Sequence, residues 1–181
     1  PPICSVSCGE YHTMCIDNNY GLWGFGSNSR GQLGTGHCNQ VNSPVQIQTE
    51  RPIHLVSCGG QFTIIKDSEG RIFSTGCNKY GQLGLGSSGG KQNTFVEMKN
   101  PPENISTIDS GYSHTTILNN IGEVYSFGFN SFGELGLGDT TDRCSPTLIR
   151  NIPKMKHIAC GHYYTMCIDV EGNFWRCGNN G

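Results

Sequence analysis

A segment of about fifty residues recurs four times along this chain, and a period of 20–50 residues decides architecture before any local signal does. Gly9, Gly59, Gly111 and Gly161 open the copies, at steps of 50, 52 and 50 residues. Cys8, Cys58, Ser110 and Cys160 precede them, and Thr13, Thr63, Thr115 and Thr165 follow. An aromatic position comes next (Trp23, Phe73, Tyr125, Trp175), then Gly26, Gly76, Gly128 and Gly178, then Asn28, Asn78, Asn130 and Asn180. The first three copies close on Gly31-Gln-Leu-Gly34-Thr-Gly36, Gly81-Gln-Leu-Gly84-Leu-Gly86 and Gly133-Glu-Leu-Gly136-Leu-Gly138.

Each unit reads as four short strands. In the second unit they are Pro44 to Ile47, Ile53 to Ser57, Phe62 to Lys66 and Arg71 to Thr75. Copies so defined begin near residues 3, 44, 94 and 146, and the first, starting at Ile3, lacks its opening strand. No stretch has a 3.6-residue apolar period over a helix length. Short strands with turns every 8–12 residues indicate a sandwich, barrel or propeller. Asp67-Ser-Glu-Gly70, Asn119-Asn-Ile-Gly122 and Asp169-Val-Glu-Gly172 suit a type I turn closed by a left-handed glycine. Asp17-Asn-Asn-Tyr20-Gly21 has Tyr in the glycine place, which predicts a different turn there.

The last strand of each unit is apolar at adjacent residues: Leu22-Trp23, Ile72-Phe73, Val124-Tyr125 and Phe174-Trp175. A sheet with one face in water would alternate instead. Neighbours on both faces are what radially stacked four-stranded sheets supply, so the pattern predicts an all-β propeller of about four blades. Leu33, Leu83 and Leu135, held between glycines, are expected to plug the space between neighbouring sheets. An open propeller leaves its end sheets uncovered, and Leu22, Trp23, Phe174 and Trp175 are expected to lie there, covered by further blades or a second chain.

Composition agrees with a turn-rich β protein. Glycine numbers 26 of 181 residues and charged residues are only 14%, against ~25% in average proteins. The net charge is −2, with no Lys/Arg cluster, which gives nucleic acid no electrostatic foothold. No apolar run has the length of a membrane span and no secretory leader opens the sequence. It starts at Pro1, not Met, and reads as a piece of something longer. Of its ten cysteines, Cys8, Cys58 and Cys160 share a position with Ser110, and Cys15 and Cys167 share one with Ile65 and Ile117. Positions that accept Cys, Ser or Ile select small or apolar side chains, so free thiols and a reducing, intracellular setting are expected.

The repeat Cys/Ser-Gly-x-x-x-Thr, followed by the Asn-x-x-Gly-Gln/Glu-Leu-Gly-x-Gly run, resembles that of the regulator-of-chromosome-condensation family over essentially the whole chain. The resemblance implies a ring of seven four-stranded blades that works by binding protein partners. Two identical chains cannot build an odd-numbered ring about a two-fold axis.

Chemistry is sparse. Gly84-Leu-Gly86-Ser-Ser-Gly89 matches a dinucleotide fingerprint, but no helix pattern follows to present its N-terminus. His157, Cys160 and His162 are ligand types, yet Cys160 belongs to the repeat and no paired CxxC accompanies it. His12 and His114 occupy one repeat position, which indicates structural hydrogen bonding. No catalytic set, metal site or cofactor site is assembled. The residues after each repeat glycine are more informative: Glu10-Tyr11, Gly60-Gln61, Tyr112-Ser113 and His162-Tyr163. They lie on loops expected at one face of the ring, where a rigid scaffold presents binding residues. Glu10, Tyr11, Gln61, Tyr112, Ser113, His162 and Tyr163 are therefore the candidate partner-binding residues of a non-catalytic interaction scaffold.

The resemblance adds an alternative, guanine-nucleotide exchange on a Ran-like small GTPase. The family's exchange factor uses acidic and histidine residues at these loops, a chemistry matched by Glu10 and His162 but not by Gln61 and Ser113. The family's ultraviolet photoreceptors carry Trp after the repeat glycine, where Glu10, Gly60, Tyr112 and His162 stand here.

Overall fold

The computed structural model describes residues 1–179, so the fourth repeat asparagine, Asn180, lies outside the described residues. The described residues form strands and turns with no helix. The first sheet contains β1 (Ile3–Cys8), β2 (His12–Asp17), β3 (Leu22–Gly26) and β4 (Val41–Ile47). The second contains β5 (Ile53–Cys58), β6 (Phe62–Asp67), β7 (Ile72–Cys77) and β8 (Lys91–Glu97). The third contains β9 (Ile105–Ser110), β10 (His114–Asn119), β11 (Val124–Gly128) and β12 (Arg143–Leu148). The last has β13 (Met155–Cys160), β14 (Tyr164–Asp169) and β15 (Phe174–Gly178). Each is an antiparallel meander in chain order.

The strands expected to open blades at Pro44, Thr94 and Pro146 instead close the preceding sheets, so the incomplete sheet is the last and not the first. A repeat of four strands is cyclic in sequence, and any of the four can be read as the first. The proline in β4 and in β12 fits an outermost strand, where a missing N–H costs no ladder bond.

The innermost strands converge. Ser57 Oγ donates to Ser110 Oγ at 2.8 Å, the Cys58 amide to Ser7 Oγ at 2.9 Å and the Cys160 amide to Asp109 Oδ2 at 2.6 Å. The sheets therefore stand around an axis as a partial β-propeller. Three apolar clusters fill the spaces between consecutive sheets: one around Met14, Leu22 and Ile65, one around Phe62, Ile72 and Ile117, and one around Leu118, Val124 and Cys167.

Leu33, Leu83 and Leu135 are fully buried. Their amides donate to Asn28, Asn78 and Asn130 Oδ1 at 3.0, 3.2 and 3.0 Å. Gly31 and Gly34 flank Leu33 at φ 80° and 69°, and the other two copies repeat this. Left-handed backbone on both sides of the leucine is what demands glycine there. The neighbouring Gln32, Gln82 and Glu134 carbonyls accept hydrogen bonds from Thr63, Thr115 and Thr165 Oγ1 of the next sheet, at 2.7, 3.2 and 2.8 Å. That bond accounts for the repeat threonine.

His12 Nε2 lies 2.9 Å from Thr63 Oγ1, and His114 Nε2 lies 3.0 Å from Thr165 Oγ1. Because each threonine hydroxyl already donates to a carbonyl, the ring nitrogen is assigned as the donor. Burial lowers both imidazoles to about 4, opposed in part by the Phe62 and Tyr164 backbones. The repeat glycines make room for these rings: a Cβ on Gly9 or Gly111 would run into His12 or His114, and on Gly59 or Gly161 into Phe62 or Tyr164.

The first hairpin departs from expectation. Tyr20 takes φ 62° and its amide donates to the Asp17 carbonyl at 2.9 Å, as Gly70 does at φ 84° and 3.1 Å. The turn is thus the same, with Tyr held left-handed and its ring against His54 at 4.7 Å between centroids. The open faces also differ. Leu22 is buried against the second sheet, while Trp23 shares a face with the 58% exposed Val6. At the other end Phe174 is 63% exposed. Trp175 pairs with Cys167 on the face turned to the third sheet, and it is 40% exposed because, among the described residues, no fourth strand flanks β15.

All ten cysteines are free. Burial pushes the Cys58 thiol up to about 12 and that of Cys167 to about 11.

Three outcomes are expected. Leu83→Ala and Leu135→Ala each destabilise by ~2–5 kcal/mol in denaturant melts, the cost of truncating a buried leucine; melts matching the parent would remove the plug role. Wild-type stability falls as pH drops from 6.5 toward 4, because the unfolded histidines bind protons that the folded ones refuse. The double variant His12→Phe/His114→Phe, which copies Phe62, has a flatter profile across that window; parallel profiles would exclude the histidines as the cause. Glu134 stands where Gln32 and Gln82 stand, but its Oε1 is buried without a partner, and burial raises its carboxyl above the ordinary 4.5. Such a group loses stability as pH rises, so Glu134→Gln raises the melting midpoint at pH 7 and the gain disappears at pH 4; no gain at pH 7 refutes this.

Candidate functional site

The loops after the repeat glycines are stitched from sheet to sheet through the backbone. The Glu10 amide donates to the Gly60 carbonyl at 3.1 Å, the Gly60 amide to the Gly111 and Tyr112 carbonyls at 3.3 and 3.1 Å, and the Tyr112 amide to the His162 carbonyl at 3.3 Å. The four loops form one continuous arc around the axis, with a depression of about 340 Å3 at its centre. Small residues make up most of its lining, including Cys58, Gly59, Ser110, Gly111 and Cys160, and Glu10, Tyr112 and His162 are its larger lining residues.

Most of the predicted residues meet on this arc. Tyr112 and His162 stack with centroids 4.1 Å apart and planes 11° apart. Tyr163 packs against His162 at 4.1 Å and against Tyr112 at 6.1 Å. Gln61 Nε2 approaches Glu10 Oε2 at 3.5 Å. Hydrogen bonding to Glu10 holds the Tyr11 hydroxyl above its usual range. Burial, with the Glu10 charge second, does the same for Tyr112. Tyr112 leans over Gly60, where a Cβ would come within 2.7 Å of its ring. Ser113 does not join them: it is buried, and its carbonyl accepts the Phe129 amide at 2.9 Å.

Sequence reasoning missed the other half of the surface. Tyr163 continues into Phe132 at 5.2 Å and Phe129 at 6.0 Å, and Phe129 reaches Tyr80 at 4.7 Å. Lys79 Nζ lies 4.8 Å from the Tyr80 ring centroid, in cation–π range. Tyr80 and Phe132 each stand two residues after a repeat asparagine, where Arg30 stands in the first copy. Comparing copies in that column would have exposed them. The side chain at that column is free to vary because the loop is held by Gln82 Oε1 and Glu134 Oε2, which accept the Tyr80 and Phe132 amides at 2.9 Å each.

No group of three metal-ligating side chains occurs among the described residues, and His157, on β13, is exposed. Gly84 to Gly89 leads into β8 and not into a helix. The arc is thus a surface of stacked rings with one carboxylate, suited to contact with another molecule.

Sequence and fold comparisons agree with this organisation. The profile of the regulator of chromosome condensation (RCC1) repeat matches residues 21–65, 69–118 and 122–168, and a second profile of the same repeat matches 3–32, 53–82 and 105–134. The chain is 30% identical over 180 residues to the ultraviolet-B receptor UVR8 of Arabidopsis thaliana, covering 97% of this chain and 30% of that protein. It is 33% identical over 178 residues to a protein RCC2 homolog of Xenopus laevis, covering 97% of this chain and 25% of the relative. Among solved structures, Prp20p of Saccharomyces cerevisiae, described with its binding to Gsp1p and histones, superposes with a TM-score of 0.88 at 20% identity, over 97% of this chain and 45% of that one. The chain thus spans a third or less of these curated relatives. With repeat profiles matching along most of its length, the chain belongs to the regulator of chromosome condensation (RCC1) repeat family.

Proposed function

We propose that the chain is a non-catalytic protein-interaction module, a propeller portion of a larger intracellular protein, whose partner docks on the loop arc and the aromatic ridge beside it. The observation that carries this is the run of mutually packed rings from Tyr112 through His162, Tyr163 and Phe132 to Phe129, on loops fixed to one another by backbone hydrogen bonds. Aromatic side chains on a pre-ordered support lose little entropy on binding and are enriched at interface hot spots. Phe132 is 48% exposed and Tyr11 67% exposed, so the surface offers contact area without rearrangement. Ten unpaired thiols support the intracellular setting.

Exchange of guanine nucleotide on a Ran-like small GTPase is the second reading, and the placement of Glu10 and His162 on one arc favours it. Prp20p is described as binding Gsp1p, and that property is Prp20p's own. Here Gln61 and the buried Ser113 occupy the intervening loops, which leaves Glu10 as the one carboxylate following a repeat glycine.

A photo-crosslinking side chain at Phe132 is expected to capture a discrete protein, and one at Val170, an exposed apolar residue on the β14–β15 hairpin, is expected not to. Equal capture at both positions would remove the arc as the docking face. Fluorescent-GDP release from a panel of small GTPases is expected to be unchanged by the chain; acceleration would select the exchange reading.

A further inference from the structure

The depression at the centre of the arc has a chemistry of its own. Glu10 is the one carboxylate among its lining residues, and the small lining residues offer glycines, thiols and a hydroxyl with no fixed charge. No ion pair among the described residues includes Glu10. The Gln61 side-chain amide, a neutral donor, approaches its Oε2 at 3.5 Å.

The rings beside it add a second element. Tyr112 is backed on one side by His162 in a near-parallel stack and leans over Gly60 toward the Glu10 side of the arc. The π-face of a phenol is electron-rich and attracts cations, more strongly where water is partly excluded. The Glu10 carboxylate and the Tyr112 ring both line this otherwise uncharged depression, and together they are two acceptors of different kinds for one cationic group. A planar guanidinium satisfies both, since it bonds carboxylate through its N–H fork and stacks on rings; an ammonium is a compact, strongly hydrated point charge. An acidic partner would meet the unneutralised Glu10 charge, and phosphate-bearing ligands would meet it with no cation among the lining residues to offset it.

We propose that the axial depression is a subsite for an arginine side chain of the protein partner, with Glu10 as the counter-charge and Tyr112 as the stacking face. The proposal deepens the protein-interaction reading and rests on it: the ridge from Tyr163 to Tyr80 supplies contact area, and the axial subsite selects which residue the partner inserts.

The test uses the isotope-labelled chain with three probes: Ac-Gly-Arg-Gly-NH2, Ac-Gly-Lys-Gly-NH2 and Ac-Gly-Gln-Gly-NH2. The arginine probe is expected to give saturable amide shifts at Glu10, Gly60 and Tyr112, the lysine probe weaker ones and the glutamine probe none. Glu10→Gln, at an exposed position where folding is not at stake, is expected to weaken arginine binding by ~10-fold, and raising salt to ~0.5 M is expected to weaken wild-type binding toward the same level. Tyr112→Leu keeps the charge and is expected to remove the advantage of arginine over lysine. Equal shifts with the glutamine probe, or undiminished arginine binding by Glu10→Gln, would overturn the subsite. Crosslinking from Phe132 separates the two proposals: capture that persists unchanged in Glu10→Gln overturns the arginine subsite while the docking face stands, and loss of capture in Glu10→Gln with unaltered melting supports both.

Discussion

The structure depends on one buried hydrogen bond, made three times: a threonine hydroxyl on the second strand of a sheet donates to the loop carbonyl at Gln32, Gln82 or Glu134 of the sheet before it. Sheets stacked face to face through apolar side chains alone could slide, because hydrophobic burial has no direction. The threonine bond pins each sheet to the loop that also carries the plugging leucine. It leaves no buried hydroxyl or carbonyl unpaired at that point, which in a low-dielectric interior would cost ~1–3 kcal/mol. The loop must in turn be rigid enough to aim its carbonyl, and the asparagine clamp and left-handed glycines make it so.

Most of this was legible in the sequence because it repeats. The glycine, threonine, asparagine and leucine positions each perform one task per sheet, so each appears in three or four copies. What repetition could not convey was phase: a four-strand period looks the same from any starting strand, and only the hydrogen-bonded order shows that Pro44 and Pro146 lie on closing strands. The Tyr20 turn was misread for a related reason. A glycine displaced by one residue suggested a new geometry, but the backbone requirement persisted and a tyrosine met it, supported by its contact with His54.

The candidate site was half legible. Residues following the repeat glycines could be located because their anchor repeats, and Glu10, Tyr112, His162 and Tyr163 do come together. Phe129, Phe132 and Tyr80 belong to a different loop of the repeat, and their meeting with Tyr163 depends on how closely neighbouring loops approach in space. Ser113 failed in the opposite sense. Its position beside Tyr112 suggested exposure, but it turns inward and its carbonyl receives the Phe129 amide, the contact that sets Phe129 beside the ridge.

The backbone stitching of the arc also has a direction. Every donor belongs to the earlier sheet and every acceptor to the later one: Glu10 to Gly60, Gly60 to Gly111 and Tyr112, Tyr112 to His162. The arc is thus a vector, with a carbonyl-bearing head at Glu10 and an amide-bearing tail at His162. Anything that extends it must respect that polarity, offering an N–H to the head or a C=O to the tail. Two heads or two tails cannot be joined, so the handedness of assembly around the axis is already written into the innermost turn of each sheet.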